Sequence, residues 1–229
     1  MPRHVPYHAF VSIIHASQFF FHIDLVQEWD FDLFFRLNKI LPPDIAVFDI
    51  IPMQGLCHAR FDAVERTYDY FIHTYKDPFL GDYSALYAGC NFDLDKMKLA
   101  IALLPQYKDY RAFCKSPDRN DHTLCNVMAA ELFADATGDR LRFRITANRF
   151  LSKMVRSITG RLLEVGKGAI SVDEFESYLI HTETPRIIIP AYPQGLYLSK
   201  VTYPYLDIPA RAGFSALLQN TTADTWQVV

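Results

Sequence analysis

The sequence lacks several features that would assign it to a common functional class. No run approaches the roughly 18 to 20 uncharged apolar residues that a membrane-spanning helix needs, and the first residues carry no secretion-signal pattern. The four cysteines lie far apart and form no CxxC or CxH spacing, which indicates free thiols and no zinc site. Gly-rich phosphate loops, metal-ligand clusters and Ser-His-Asp signatures are also absent from the sequence. We therefore expect a cytoplasmic protein without a membrane segment or a bound metal.

A strong positive charge is missing as well. The formal net charge is −3, whereas nucleic-acid-binding domains usually have a strongly basic footprint. Any RNA site must therefore be a local basic stripe on a neutral body. Half of the 229 residues are apolar, which is enough for one or two cores. The aromatic content of 14% favours β-structure and stacking surfaces.

The hydrophobic periodicity predicts an α+β fold. It predicts helices over 31–39, 93–104, 148–165 and 171–180. It predicts strands over 45–51, 56–61, 66–75, 124–133, 140–147 and 196–203. Because strands are adjacent in pairs as well as separated by helices, we expect helical layers on a largely antiparallel sheet. We place the boundary between an N-terminal subdomain, 1–85, and a C-terminal one, 86–229, in the weak stretch near residue 85.

Basic residues follow two consecutive predicted elements. Along strand 140–147, arginines alternate with apolar residues, so one face is predicted to be core and the other basic. On the helix predicted next, Arg149, Lys153, Arg156 and Gly160 share one face. A solvated helix face is one interpretation. Phosphate contact is the other, because both elements contribute basic residues. On this interpretation the RNA-binding residues are Arg142, Arg144, Arg149 and Lys153.

Two tyrosines share one face of the strand predicted over 66–75. Tyr68 and Tyr70 alternate with Thr67 and Asp69, and Arg66 precedes them. The pair is either a cross-strand aromatic contact or a platform on which an extruded base stacks.

Longer motifs occur in order along the chain. They are HAxQ at 15–18, LNxxLPxDI at 37–45, HARFDAxxRxYxY at 58–70, FCK at 113–115, ANRFLxxMVR at 147–156, GxLLxVG at 160–166 and GLYL at 195–198. Together they resemble the tRNA pseudouridine synthase A family from about residue 14 to 205.

The resemblance implies a fold, an activity and partners. Members convert uridines at positions 38–40 of the tRNA anticodon stem-loop to pseudouridine without a cofactor, and they work as homodimers. Their pseudouridine synthase fold has two α+β subdomains around a central, mostly antiparallel sheet. The chemistry requires an extruded base and a carboxylate nucleophile that breaks the glycosidic bond.

The resemblance also implies roles for individual residues. Tyr68 matches the tyrosine that packs on the target uracil and is implicated in removing the proton at C5. Arg156 matches the arginine that orients the nucleophilic carboxylate, and Leu196 matches the apolar wall of the base pocket. We therefore expect Tyr68, Arg156 and Leu196 to line one concavity.

One position departs from the family. His15 and Ala16 match the end of a GRTDxGVHA motif, and counting back four residues from His15 puts Val11 at the nucleophilic aspartate. Ala9 and Ile13 replace the arginine and a glycine of that motif. The family also has a strand and a helix upstream, so we expect a shifted reading frame or wrong start, with a truncated pseudoenzyme as the competing explanation. Without the aspartate the chain is expected to be inactive. Two further hypotheses are that it is an inactive tRNA-binding module or a structural remnant.

Overall fold

The computed structural model describes residues 14–24, 30–181, 189–206, 208–209 and 227–228. The chain forms two compact units, one comprising Met1–Phe19 with Val64–Val229 and the other comprising Phe20–Ala63. The subdomain boundary expected between residues 85 and 86 stays a prediction. No helix in the described ranges is long and apolar enough to cross a membrane.

The larger unit is built on one seven-stranded sheet. Its strands are β1 (His15–Ala16), β2 (Glu65–His73), β3 (Ala85–Leu86), β4 (Val127–Ala134), β5 (Arg140–Ala147), β6 (Leu196–Thr202) and β7 (Gln227–Val228). The order is β1-β6-β2-β5-β4-β7, and β3 also pairs with β2. The pairs β2–β5, β2–β6, β4–β5 and β4–β7 are antiparallel, while β1–β6 and β2–β3 are parallel. The predicted α+β class with a mostly antiparallel sheet is confirmed.

Four helices are present in the described residues, and side-chain caps explain where three of them begin. The helices are α1 (Leu33–Ile40), α2 (Leu94–Leu103), α3 (Met154–Gly166) and α4 (Val172–Ile180). The side chains of Asp32, Asp93 and Ser171 accept hydrogen bonds from backbone N–H groups in the first turns of α1, α2 and α4. Such caps satisfy donors that a helix start leaves unpaired. The larger unit contains α2, α3 and α4.

The core of the larger unit follows from the alternation predicted along β5. Leu141, Phe143 and Ile145 are at most 1% exposed and belong to one apolar cluster with Ile158 and Leu162 of α3. The apolar face of β5, where every second residue points inward, thus packs against the apolar face of α3, where residues recur every 3.6 positions. This packing fixes α3 against the sheet.

Two strands predicted in the smaller unit are wrong, because side chains there take the place of strand pairing. Asn38 exchanges two hydrogen bonds with the backbone of Val47, so 45–51 is not a strand. The ring of His58 accepts from the N–H groups of Arg60 and Phe61, and Asp62 accepts from the N–H of His58. The segment 56–61 is therefore irregular and ends in a turn over 59–61. Local side-chain acceptors compete with regular structure in this way.

The helix predicted from residue 148 begins six residues later. The side-chain oxygen of Asn148 accepts from the N–H groups of Asn126 and Arg149. These bonds hold 148–153 as a loop before α3 starts at Met154. Arg149 and Lys153 consequently do not lie on the helix that carries Arg156.

Candidate active site

Tyr68 and Tyr70 lie on β2 between β5 and β6. Tyr70 pairs with Leu196 and Tyr68 pairs with Leu198, in the same register. The register of β2 against β6 shifts just before Tyr68, between Thr67 and Tyr68. The ring of Tyr68 is partly exposed and packs edge-on against Phe150, with 5.0 Å between ring centroids. Burial raises the pKa of the Tyr68 hydroxyl, and the positive charge of Arg66 acts in the opposite direction. Tyr68 therefore presents an aromatic face and a protonated hydroxyl at neutral pH.

Tyr70 is fully buried and anchors a loop. Its hydroxyl donates to the carbonyl oxygen of Tyr192 at 2.6 Å. The N–H of Tyr192 donates to the hydroxyl of Tyr87 at 3.4 Å, and the rings of Tyr87 and Tyr192 are stacked. Burial raises the pKa of Tyr70 far above its ordinary value. Of the two tyrosines in the motif, only Tyr68 is accessible to a ligand.

Arg156 lies in the first turn of α3 and is partly buried. Its Nε donates to the carbonyl oxygen of Ala191 at 2.7 Å, and the N–H of Ala191 returns a bond to the Arg156 carbonyl. Burial lowers the pKa of Arg156, while Tyr70 and Tyr87 raise it. Within the described part of the chain, Arg156 forms no ion pair with an acidic side chain. A partly buried guanidinium without an ion pair among the described residues is suited to bind an anion that a ligand supplies.

Gly160 allows the loop that carries Ala191 to approach α3. A Cβ at this position would lie 2.5 Å from the carbonyl oxygen of Ile189 and 3.3 Å from the N–H nitrogen of Ala191. Real Cβ atoms do not come so close to backbone atoms. Glycine is therefore required here by the close approach, and the approach brings Ala191 to Arg156.

Leu196 starts β6 and is 7% exposed. The preceding Gly195 lies so close to β2 that a Cβ would be 2.6 Å from the carbonyl oxygen of Phe71. Next along β6, Tyr197 pairs in parallel with His15, whose ring it stacks on at 4.6 Å. His15, which the resemblance matches to the end of the family's catalytic motif, thus pairs with β6 next to Leu196.

Tyr70 links the neighbourhoods of two predicted pocket residues. It pairs with Leu196 between β2 and β6 and interacts electrostatically with Arg156, and Tyr68 lies two residues away on the same strand face. That Tyr68, Arg156 and Leu196 line one concavity stays a prediction. Val11 lies outside the described residues.

Comparison with known proteins decides the family. A family model described as tRNA pseudouridine synthase matches residues 106–204. The tRNA pseudouridine synthase A of Porphyromonas gingivalis is 36% identical over 194 residues, which are 83% of this chain and 77% of that protein. The enzyme of the same name from Bacteroides fragilis is 38% identical, over 83% of this chain and 76% of its own length. The chain belongs to the tRNA pseudouridine synthase A family.

Two of the four predicted RNA-binding residues, Arg142 and Arg144, form ion pairs within the protein. Arg142 and Arg144 both donate from Nε to Oδ1 of Asp69, at 2.6 and 3.0 Å. Asp69 is fully buried, and both guanidinium groups lie over the ring of Phe133. The Arg144 side chain is 34% exposed and that of Arg142 only 12%. Their contact with RNA stays a prediction.

Asp69 is the residue that the sequence reasoning missed. Burial raises its pKa, and Arg144 and the hydroxyl of Ser199 oppose that rise. The sequence contained one indication of its position, the alternation along β2, which places Asp69 on the face opposite to Tyr68. Only the β2–β5 register, which sets Asp69 against Arg144 and Phe71 against Arg142, shows that this face meets the arginines.

Proposed function

We propose that this protein binds the anticodon stem-loop of tRNA as a cytoplasmic homodimer and holds an extruded uridine from positions 38–40 among Tyr68, Arg156 and Leu196. The setting of Arg156 carries the proposal, because its guanidinium is partly buried beside tyrosines without an acidic partner among the described residues. Family membership supports it, since the relatives are named tRNA pseudouridine synthase A. The proposal requires neither a metal nor a cofactor.

The reaction of the family is an isomerisation in which the uracil stays bound to the same ribose. The bond from N1 to C1′ breaks, the uracil turns over, a bond from C5 to C1′ forms, and the C5 proton leaves while N1 gains one. In active members, the tyrosine that Tyr68 matches is implicated in removing the C5 proton, and the arginine that Arg156 matches orients the nucleophile. In this chain we propose only that Tyr68 stacks on the uracil, that Arg156 lies beside it and that Leu196 closes the apolar side of the pocket.

The chain has the binding part of this machinery without the nucleophile. Val11 stands where the family has its aspartate, and an isopropyl group cannot attack a glycosidic carbon or a uracil ring. We propose that the protein binds tRNA and does not form pseudouridine. An inactive tRNA-binding module is thus the form of the family function that fits this sequence, and a structural remnant is the competing candidate.

Binding of a stem-loop transcript to Arg156→Ala tests the proposal. We expect the affinity to fall about tenfold or more, because hydrogen bonds to charged groups contribute about 1.5–3 kcal/mol. Arg161→Ala is the matched control, since Arg161 lies on the same helix and is paired with Glu164 at 2.6 Å. Equal affinity of parent, variant and control would contradict the role of Arg156. Failure of the parent to bind would favour the structural remnant.

A further inference from the structure

The loop 148–153 that joins β5 to α3 is tied to a second segment that carries a lysine. The N–H of Lys115 donates to the carbonyl oxygen of Ser152 at 3.0 Å, which fixes Lys115 beside the residue that precedes Lys153. Both lysines are exposed. The FCK motif and the loop before α3, which are separated along the sequence, therefore bring Lys115 and Lys153 close together.

Backbone geometry fixes where Lys153 stands. With φ at 61° and ψ at 7°, it is the one non-glycine residue of the described chain in the left-handed region. This conformation costs an L-residue roughly 1–2 kcal/mol. Lys153 ends the loop and immediately precedes Met154, the first residue of α3, so it lies three positions before Arg156.

Lys115, Lys153 and Arg156 lie close enough together to repel one another. The pKa of Lys153 is lowered by partial desolvation of its ammonium group, and then by the charges of Lys115 and Arg156. In the ranges that the structure describes, no ion pair with an acidic residue involves Lys115, Lys153 or Arg156, and none involves Arg149. Arg149 instead contacts the ring of His122, at 3.2 Å from its Nη1. Like charges held this close repel unless an anion lies between or beside them.

We propose that Lys115 and Lys153 bind two neighbouring phosphates of the RNA backbone next to the extruded uridine. The proposal rests on the proposed function, because Arg156 connects the lysine pair to the base pocket. Lysine binds phosphate as a point charge without the fixed fork of arginine. The pair therefore sets the position of the strand and reads no base. Lys115 ends the FCK motif, to which the sequence alone assigned no role.

The salt dependence of stem-loop binding tests the pair. Each neutralised phosphate contributes about 0.7 to the slope of log K against log salt for a single strand and about 0.9 for a duplex. Replacing both Lys115 and Lys153 with alanine should therefore reduce the slope by about 1.4 to 1.8. Lys98→Ala is the matched control, because Lys98 is paired with Asp95 at 2.9 Å and should leave the slope unchanged. Thermal unfolding of each variant checks that the fold is intact.

A charge reversal tests whether the two lysines act together. In Lys115→Glu the new carboxylate lies beside Lys153 and should occupy it, so this single change should flatten the slope at least as much as the double alanine variant. An effect equal to that of Lys115→Ala alone would contradict a shared site. A slope of the double alanine variant equal to that of the parent would overturn the proposal.

A second probe separates this site from the proposed function. Titration with inorganic pyrophosphate, followed by phosphorus NMR, should show broadening with the parent and none with the double alanine variant. If pyrophosphate binds in this way and the stem-loop does not, the anion site stands and the tRNA function falls. If the stem-loop binds and neither measurement responds to the lysines, the function stands and the lysine site falls.

Discussion

Replacing Asp69 with alanine should markedly destabilise the protein, because it removes a fully buried carboxylate that pairs with two arginines. Asp69 is fully buried and accepts hydrogen bonds from both Arg142 and Arg144, so the substitution removes the acidic member of a buried ion pair. Removing one member of a buried ion pair costs about 3–5 kcal/mol. The loss should lie near the lower bound, about 3 kcal/mol, because Arg144 is 34% exposed and can turn to solvent.

Urea unfolding of Asp69→Ala, Arg144→Ala and the parent measures this difference. Arg144→Ala is the matched control: it leaves the Arg142–Asp69 pair intact and should lose less stability than Asp69→Ala, because the Arg144 side chain is 34% exposed. The comparison assumes equal slopes of the free energy of unfolding against urea. A loss below about 0.5 kcal/mol in Asp69→Ala, the size of an ordinary surface substitution, would refute the reasoning.

Two further perturbations follow from the packing around the candidate site. Gly160→Ala should lower the free energy of unfolding by about 1–3 kcal/mol, because its Cβ would overlap the carbonyl oxygen of Ile189. Gly81→Ala is the control and should leave the free energy of unfolding unchanged, since its Cβ would lie 4.0 Å from the nearest atom. Urea unfolding compares the two variants. Raising the pH above about 10 should also destabilise the fold, since burial raises the pKa of several tyrosines and the unfolded chain loses protons that the folded chain keeps. These tyrosines are Tyr70, Tyr110 and Tyr197. Unfolding free energies that are equal at about pH 8 and about pH 11 would contradict their burial.

The sequence was sufficient where periodicity and capping act locally. The alternation along 140–147 gave β5 with its bounds, and the pattern at Ser171 gave the start of α4. It was insufficient where a side chain competes with the backbone. Asn38 exchanges hydrogen bonds with the backbone of Val47, and the strand predicted there does not form. Asn148 accepts hydrogen bonds from backbone N–H groups, and α3 begins later than predicted.

The site was predictable only in part for a related reason. Tyr68, Arg156 and Leu196 come from matching residues to family motifs, and that they line one pocket stays a prediction. The pairing of Asp69 with two arginines depends on the register between β2 and β5, and the approach of Lys115 to Lys153 depends on a loop contact. Both are tertiary facts that no local pattern in the sequence contains.

Release of tritium from a stem-loop transcript labelled at C5 of uridine tests the central claim most directly. Forming the bond from C5 to C1′ expels the C5 hydrogen, so each turnover releases one label. With Val11 at the nucleophile position, we expect the protein to bind the transcript and to release no tritium above the protein-free background. Release that grows with protein concentration and disappears in Arg156→Ala would show that the site has a nucleophile after all, and would contradict the account.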